Sequence, residues 1–126
     1  MPENLPLQQL DVAMIVRDEE AQLPAALASV EGLAGRVLVL DTGSTDSTAE
    51  AARTAGAEVF VRADFPGFGP AKQEILDRCE AEWVLFLDAD ERVTRDLAAA
   101  IREKIAAGDT EAAGWRIRRR NHVLGR

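Results

Sequence analysis

The 126 residues suffice for one domain with its own core, and 47% hydrophobic against 29% charged residues is the balance of a globular protein rather than a disordered one. No apolar run approaches the ~20 residues that cross a bilayer, and with one cysteine (Cys79) and one histidine (His122) there is no basis for an internal disulfide, a histidine zinc site or a Ser-His-Asp triad. The net charge of −7 is uneven, with all 22 acidic residues in positions 1–115 and five Arg but no acid in 116–126, so the acidic body argues against nucleic acid as a partner.

In chain order, Leu10–Val16 reads as a buried strand running into the charged turn Arg17-Asp18-Glu19-Glu20. A helix follows, with Pro24 tolerated in its first turn, Leu23, Leu27 and Val30 on one face, and Gly32 and Gly35 closing it. Arg36–Leu40 is a second strand, ending in Asp41-Thr42-Gly43-Ser44-Thr45-Asp46. Ser47-Thr48-Ala49-Glu50 has the spacing of a capping box, opening an Ala-rich helix that Gly56 stops. Glu58–Val61 is a short third strand. The loop Asp64–Gly69 leads to a helix starting at Pro70, with Ala71, Ile75 and Cys79 inward and Lys72 on it.

Next comes the apolar run Trp83–Leu87, too short for a helix and rich in strand formers, which turns abruptly acidic at Asp88, Asp90 and Glu91. In an extended segment residues two apart share a face, so Asp88 and Asp90 are expected to aim at one point. Two like charges ~4 Å apart repel by roughly 4 kcal/mol at an effective dielectric near 20, which a cation between them would relieve. Hard oxygen ligands suit Mg²⁺ or Mn²⁺; a solvated turn is the plainer alternative. Thr94 caps a last helix with Leu97, Ile101 and Ile105 inward and Gly108 at its end, and Trp115–Leu124 reads as a final strand.

Strand and helix alternate four times before that strand, which predicts an α/β fold of three layers with a mostly parallel central sheet. In such a sheet ligands bind beyond the carboxyl ends of the strands, where strand order reverses. Three acidic turns are then expected at one edge: Arg17–Glu20, Asp41–Asp46 and Asp88–Glu91. Their carboxylates suit ribose hydroxyls, base N–H groups and a divalent ion. Ser44–Ser47, at a helix start, is accounted for by capping or by anion binding. The basic end suits phosphate, an anionic membrane surface or a solvated strand.

These turns, together with Gly67-Phe68-Gly69-Pro70-Ala71-Lys72-Gln73 and Leu87-Asp88-Ala89-Asp90-Glu91-Arg92, resemble family 2 glycosyltransferases of the GT-A fold. The ending Arg118–Arg126 resembles bacterial lipopolysaccharide core glucosyltransferases. The resemblance implies a donor site for a nucleotide-diphospho-sugar, UDP-hexose by analogy. Val16 and Arg17 would flank the base, with the Arg17 guanidinium where many relatives have Tyr. Glu19 would belong to the same turn, Asp41 would read base or ribose, and Lys72 would lie near the nucleotide. Asp88 and Asp90 would serve diphosphate and metal, Asp90 as the direct ligand. Surface ion pairing (Arg17), helix N-terminal charge (Glu19) and an exposed helix face (Lys72) are the plainer alternatives.

Inverting transfer also needs a carboxylate base for the acceptor hydroxyl. In the family it follows the Asp-x-Asp motif at a distance, and here the last acid is Glu111. The expectation is therefore a single donor-binding GT-A domain over residues 1–126, truncated at its C-terminus, with the base beyond Arg126. A saccharide or lipid-linked acceptor would be its second substrate. Exposed apolar sheet surface would favour a homo-oligomer. Met1-Pro2-Glu3-Asn4 lacks the basic-then-apolar pattern of a signal peptide, so a cytoplasmic setting is expected, with peripheral contact at the inner face of a membrane. Two rivals stand beside this: a non-catalytic nucleotide-binding or interaction module on the same fold, and an aspartic protease suggested by Asp41-Thr42-Gly43-Ser44.

Overall fold

A computed structural model describes residues 5–107 and 117–119. In chain order it holds β1 (Leu7–Val16), α1 (Leu23–Ser29), β2 (Ala34–Asp41), α2 (Thr48–Thr54), β3 (Glu58–Val61), α3 (Phe68–Arg78), β4 (Trp83–Phe86), α4 (Arg95–Ala107) and β5 (Ile117–Arg119). The five strands form one sheet in the order β3-β2-β1-β4-β5. β1 to β4 run parallel, and β5 is antiparallel to β4. The α/β fold with a mostly parallel sheet is as predicted.

Strand order dictates where the helices lie. Parallel crossovers are right-handed, so steps in one direction along the sheet put their helices on one face, and a step back puts its helix on the other. β1→β2→β3 moves one way, through α1 and α2. The return from β3 to β4 carries α3 across the opposite face. The core follows this division. Leu10, Val12, Met14 and Val16 of β1 pack with Trp83, Leu85, Leu23, Leu27, Ala52, Ile101 and Ile105. Their neighbour Ala13 joins Leu38, Leu40 and Val84 against Ala71, Ile75, Leu76 and Cys79 on the α3 side. A central strand buried on both faces has to be apolar almost throughout, which is what β1 is.

The buried exception in β1 is Asp11, 2% exposed. Its Oδ2 accepts the N–H groups of Glu80 (2.9 Å) and Ala81 (3.1 Å) and pairs with Arg36 at 3.3 Å. Arg36 also bonds Glu58 at 3.0 Å and the Arg78 carbonyl at 3.2 Å. Burial works against the Arg36 charge, but the bond and charge of Asp11, with Glu58, outweigh it and raise its pKa. This ladder ties β1, β2, β3 and the end of α3 together at the amino edge of the sheet.

Some local expectations are corrected. Gly35 lies inside β2 rather than closing α1, because β1 starts early and Leu7 pairs with Ala34; a Cβ on Gly35 would stand 3.0 Å from the Leu7 carbonyl oxygen. α3 begins at Phe68, two residues before Pro70, which is accommodated in its first turn. The Ser47–Glu50 capping box does not form, since Ser47 makes no side-chain cap bond. Thr94 does cap α4, its Oγ1 accepting the Leu97 N–H at 3.1 Å. Of the predicted Trp115–Leu124 strand only Ile117–Arg119 falls within the described residues, while Gly108, His122 and the rest of the arginine-rich end lie outside them. The protease alternative fails, because Asp41-Thr42-Gly43-Ser44 joins a parallel strand to a helix in an α/β sheet.

Candidate functional site

Because β1, β2 and β4 are parallel neighbours, the turns that follow them share the carboxyl edge, and the strand order reverses there on either side of β1. The first two turns are stitched to each other. Thr42 donates its N–H (3.0 Å) and hydroxyl (3.1 Å) to the Val16 carbonyl. Asp18, at φ 53°, donates its N–H to Ser44 Oγ at 2.8 Å, and its Oδ1 accepts the Thr45 N–H at 2.7 Å. Glu20 Oε1 accepts the Ser47 N–H at 2.8 Å, and the Glu20 N–H reaches Asp46 Oδ2 at 3.3 Å. The fully buried Thr48 hydroxyl accepts the Glu19 N–H at 2.8 Å and donates to Asp46 Oδ1. That bond chiefly holds the Asp46 carboxyl below its usual pKa. The N-terminus of α2 is therefore capped by Asp46 and by Glu20 from the neighbouring turn.

Asp41 organises its own turn. It is 2% exposed, and its Oδ1 accepts the N–H groups of Gly43 (3.0 Å) and Ser44 (2.8 Å). Gly43 has φ +102°, and a Cβ there would lie 2.7 Å from the Ala63 carbonyl oxygen. Left-handed backbone and close approach both demand glycine.

Two cavities open along this edge. One, about 330 Å³, is lined by Ile15, Val16, Arg17, Glu19, Thr42, Phe65 and Phe68. The second, about 310 Å³, is lined by Ala13, Ile15, Phe68, Lys72, Phe86, Leu87 and Asp88. Ile15 and Phe68 belong to both, so the two are lobes of one cleft. The structure thus brings Val16, Arg17 and Glu19 together in one lobe and Lys72 with Asp88 in the other. Lys72 Nζ stands 4.7 Å from the Phe86 ring centroid, a cation–π contact. Asp18 and Glu20 are taken up in stitching the turns, which leaves Glu19 as the acid of that turn lining the cleft. Asp41 lines neither lobe; its neighbour Thr42 does. Asp90 lines neither lobe and is exposed on the turn next to Asp88.

That turn is not the extended segment predicted. β4 ends at Phe86, and Asp88–Glu91 closes through the Glu91 N–H to the Asp88 carbonyl at 2.9 Å. Asp88 and Asp90 are nonetheless both exposed, with Ala89 buried between them. Glu91 Oε1 accepts the Asp88 N–H at 2.8 Å. Arg92 donates to the carbonyls of Ala89 (2.9 Å) and Glu91 (2.8 Å) and to Gln22 Oε1 at 2.8 Å, clasping the turn to the start of α1. Among the described residues no group of three or more His, Cys, Asp or Glu is disposed to hold a metal. A Mg²⁺-type ion is ordinarily held by one or two carboxylates plus substrate phosphates and water, so a pair of exposed carboxylates fits that mode and does not fit an all-protein cage.

The sequence motifs contain Phe68, Thr42 and Thr48 but assign none of them a site role, and Phe65 stands in the loop ahead of Phe68 without one. Two phenylalanines within a Gly- and Pro-containing loop, outside any apolar periodicity, were the available signal for Phe65 and Phe68. Nothing local marked Thr48, whose partner Glu19 is 29 residues away.

The description "Glycosyl transferase family 2" belongs to the family whose model matches residues 11–126. The chain is 34% identical over 125 residues to the lipopolysaccharide core biosynthesis glycosyltransferase LpsC of Rhizobium meliloti, covering 96% of this chain and 46% of that one. Glucosyl-3-phosphoglycerate synthase of Mycobacterium tuberculosis, in complex with Mn²⁺, UDP and glucosyl-3-phosphoglycerate, superposes with a TM-score of 0.60 at 27% identity, over 68% of this chain and 36% of that one. The mannosyltransferase PcManGT of Pyrobaculum calidifontis, in complex with GDP-Man and Mn²⁺, reaches a TM-score of 0.65 over 76% of this chain and 32% of that one; at 23% identity it speaks for the fold alone. The chain thus spans less than half the length of these relatives. On the extent of the family match, the GT-A architecture and the likeness to LpsC, this chain belongs to glycosyl transferase family 2.

Proposed function

We propose that this chain binds a nucleotide-diphospho-sugar, UDP-hexose in the first instance, together with Mn²⁺ or Mg²⁺, as the donor-binding part of an inverting glycosyltransferase. The observation that carries the reading is the two-lobed cleft at the switch point, with an arginine and apolar walls in one lobe and Lys72 with Asp88 in the other. The nucleoside occupies the first lobe, flanked by Val16 and Arg17, whose planar guanidinium stacks on a base, with Glu19 and Thr42 as polar partners. Asp41, which lines neither lobe, acts on that lobe by holding the turn that carries Thr42. The diphosphate lies in the second lobe, where Lys72 adds positive charge. Asp88 and Asp90 hold the cation, Asp90 as the direct ligand. A divalent ion there offsets charge on the departing diphosphate.

The Mn²⁺ and UDP named for the mycobacterial synthase support this choice of donor and metal, and LpsC supports a place in lipopolysaccharide assembly. The base that activates the acceptor, a saccharide or lipid-linked saccharide, is assigned to none of the described residues. The setting is cytoplasmic, peripheral to a membrane where the acceptor is lipid-linked. No helix among the described residues is long and apolar enough to cross one.

Calorimetric titration with UDP tests the reading. Binding that needs Mn²⁺ and is weakened in Asp90→Asn and Asp88→Asn supports it. Absence of UDP binding with Mn²⁺ present would return the chain to the non-catalytic module.

A further inference from the structure

Four large hydrophobic side chains are exposed among the described residues, and two of them, Phe65 (39%) and Phe68 (73%), lie in the β3–α3 connection at the cleft. Their ring centroids are 4.9 Å apart with planes at 76°, an edge-to-face pair. Phe68 is the first residue of α3, set there by Gly67 at φ 100°. Phe65 lines the lobe of Val16, Arg17, Glu19 and Thr42, while Phe68 lines both lobes. An aromatic ring three-quarters exposed on a helix with a buried apolar face contributes little to the core. With Ile15 it is one of the two residues that line both lobes.

We infer that Phe65 and Phe68 form an aromatic wall of the nucleobase subsite and make the cleft prefer a ligand with a base over one carrying phosphates alone. The inference rests on the donor-site reading above. The edge-to-face arrangement props one ring against the other, so a ring face is held ready for a base before it arrives. Any nucleobase presents a π-face, so the wall supplies affinity and position while the choice among bases is left to polar groups such as Glu19 and Thr42.

Calorimetry with two probes, UDP and inorganic pyrophosphate, each with Mn²⁺, separates the inference from the reading beneath it. Phe68→Leu keeps apolar volume and loses the ring; Phe68→Tyr keeps the ring; Phe65→Ala removes the prop. Expected is a loss of UDP affinity of about 5- to 150-fold in Phe68→Leu, the span of one base–aromatic stack. Phe65→Ala should lose less, Phe68→Tyr should stay near wild type, and pyrophosphate should bind all four proteins alike. Unchanged UDP affinity in Phe68→Leu, or an equal loss for both probes, overturns the inference while leaving the donor site standing. A wild-type chain that binds neither probe overturns the donor reading, and the aromatic wall falls with it.

Discussion

Replacing Gly43 by alanine tests how the carboxyl edge is held. At φ +102° a side chain is strained by about 1–3 kcal/mol. The added Cβ would also lie 2.7 Å from the Ala63 carbonyl oxygen, a backbone atom, so relief requires shifting the chain after β3 at an overpacking cost of roughly 1–3 kcal/mol. Together these predict a destabilisation of about 2–6 kcal/mol. The damage should not stay local. Gly43 N–H is one of two donors to Asp41 Oδ1, and the next residue, Ser44, receives the Asp18 N–H. Urea denaturation of wild type and Gly43→Ala gives the stability difference, and UDP–Mn²⁺ titration of the folded variant gives the effect on the cleft, where affinity should fall. A Gly43→Ala protein within about 0.5 kcal/mol of wild type, the range of ordinary surface substitutions, would refute the reasoning.

Three further outcomes follow from the same contacts. Asp46 has a lowered pKa in the folded chain, so its stabilising contribution is fully present above its unfolded value near 3.8 and is lost as pH falls through the lowered folded value; acid denaturation followed by circular dichroism should lose that part of its pH dependence in Asp46→Asn. Arg36→Met leaves Asp11 buried on two backbone N–H groups without its cation, and with Arg36 itself 30% exposed the loss in a urea melt should be about 1–3 kcal/mol, with UDP affinity unchanged because the ladder lies at the other edge. Arg92→Ala removes the clasp on the Asp88–Glu91 turn, so Mn²⁺-dependent UDP binding should weaken several-fold while the melt changes little.

What could be read in the sequence was whatever repeats at short range. The apolar runs of β1, β2 and β4 and the inward faces of α1, α3 and α4 were legible because buried parallel strands and amphipathic helices leave a periodic trace. Their alternation implied the parallel sheet, and the parallel sheet implied that the three acidic turns share an edge. The failures came where a partner is distant in the chain. The local signal for a capping box at Ser47 was real, but Glu20, 27 residues away, supplies the carboxylate to the Ser47 N–H. Gly35 looked like a helix stop because the early start of β1 beside it was invisible. The alternation argument for Asp88 and Asp90 assumed extended backbone beyond Phe86, where Glu91 instead folds back onto the Asp88 N–H. Phe65 and Phe68 carry no periodic signal, because apolar residues in a connection look alike whether they face solvent or a cleft.

In the proposed donor complex, diphosphate and cation meet in the cleft beside Asp88. Amide spectra of ¹⁵N-labelled chain with UDP, recorded with sub-stoichiometric Mn²⁺ and with Mg²⁺ as the diamagnetic reference, test this directly. Paramagnetic broadening should be strongest at Ala89 and Asp90 and extend to Phe68 and Thr42, and should disappear without UDP or in Asp90→Asn. Broadening centred away from the Asp88–Glu91 turn, or persisting unchanged in Asp90→Asn, would contradict a cation held there beside the donor diphosphate.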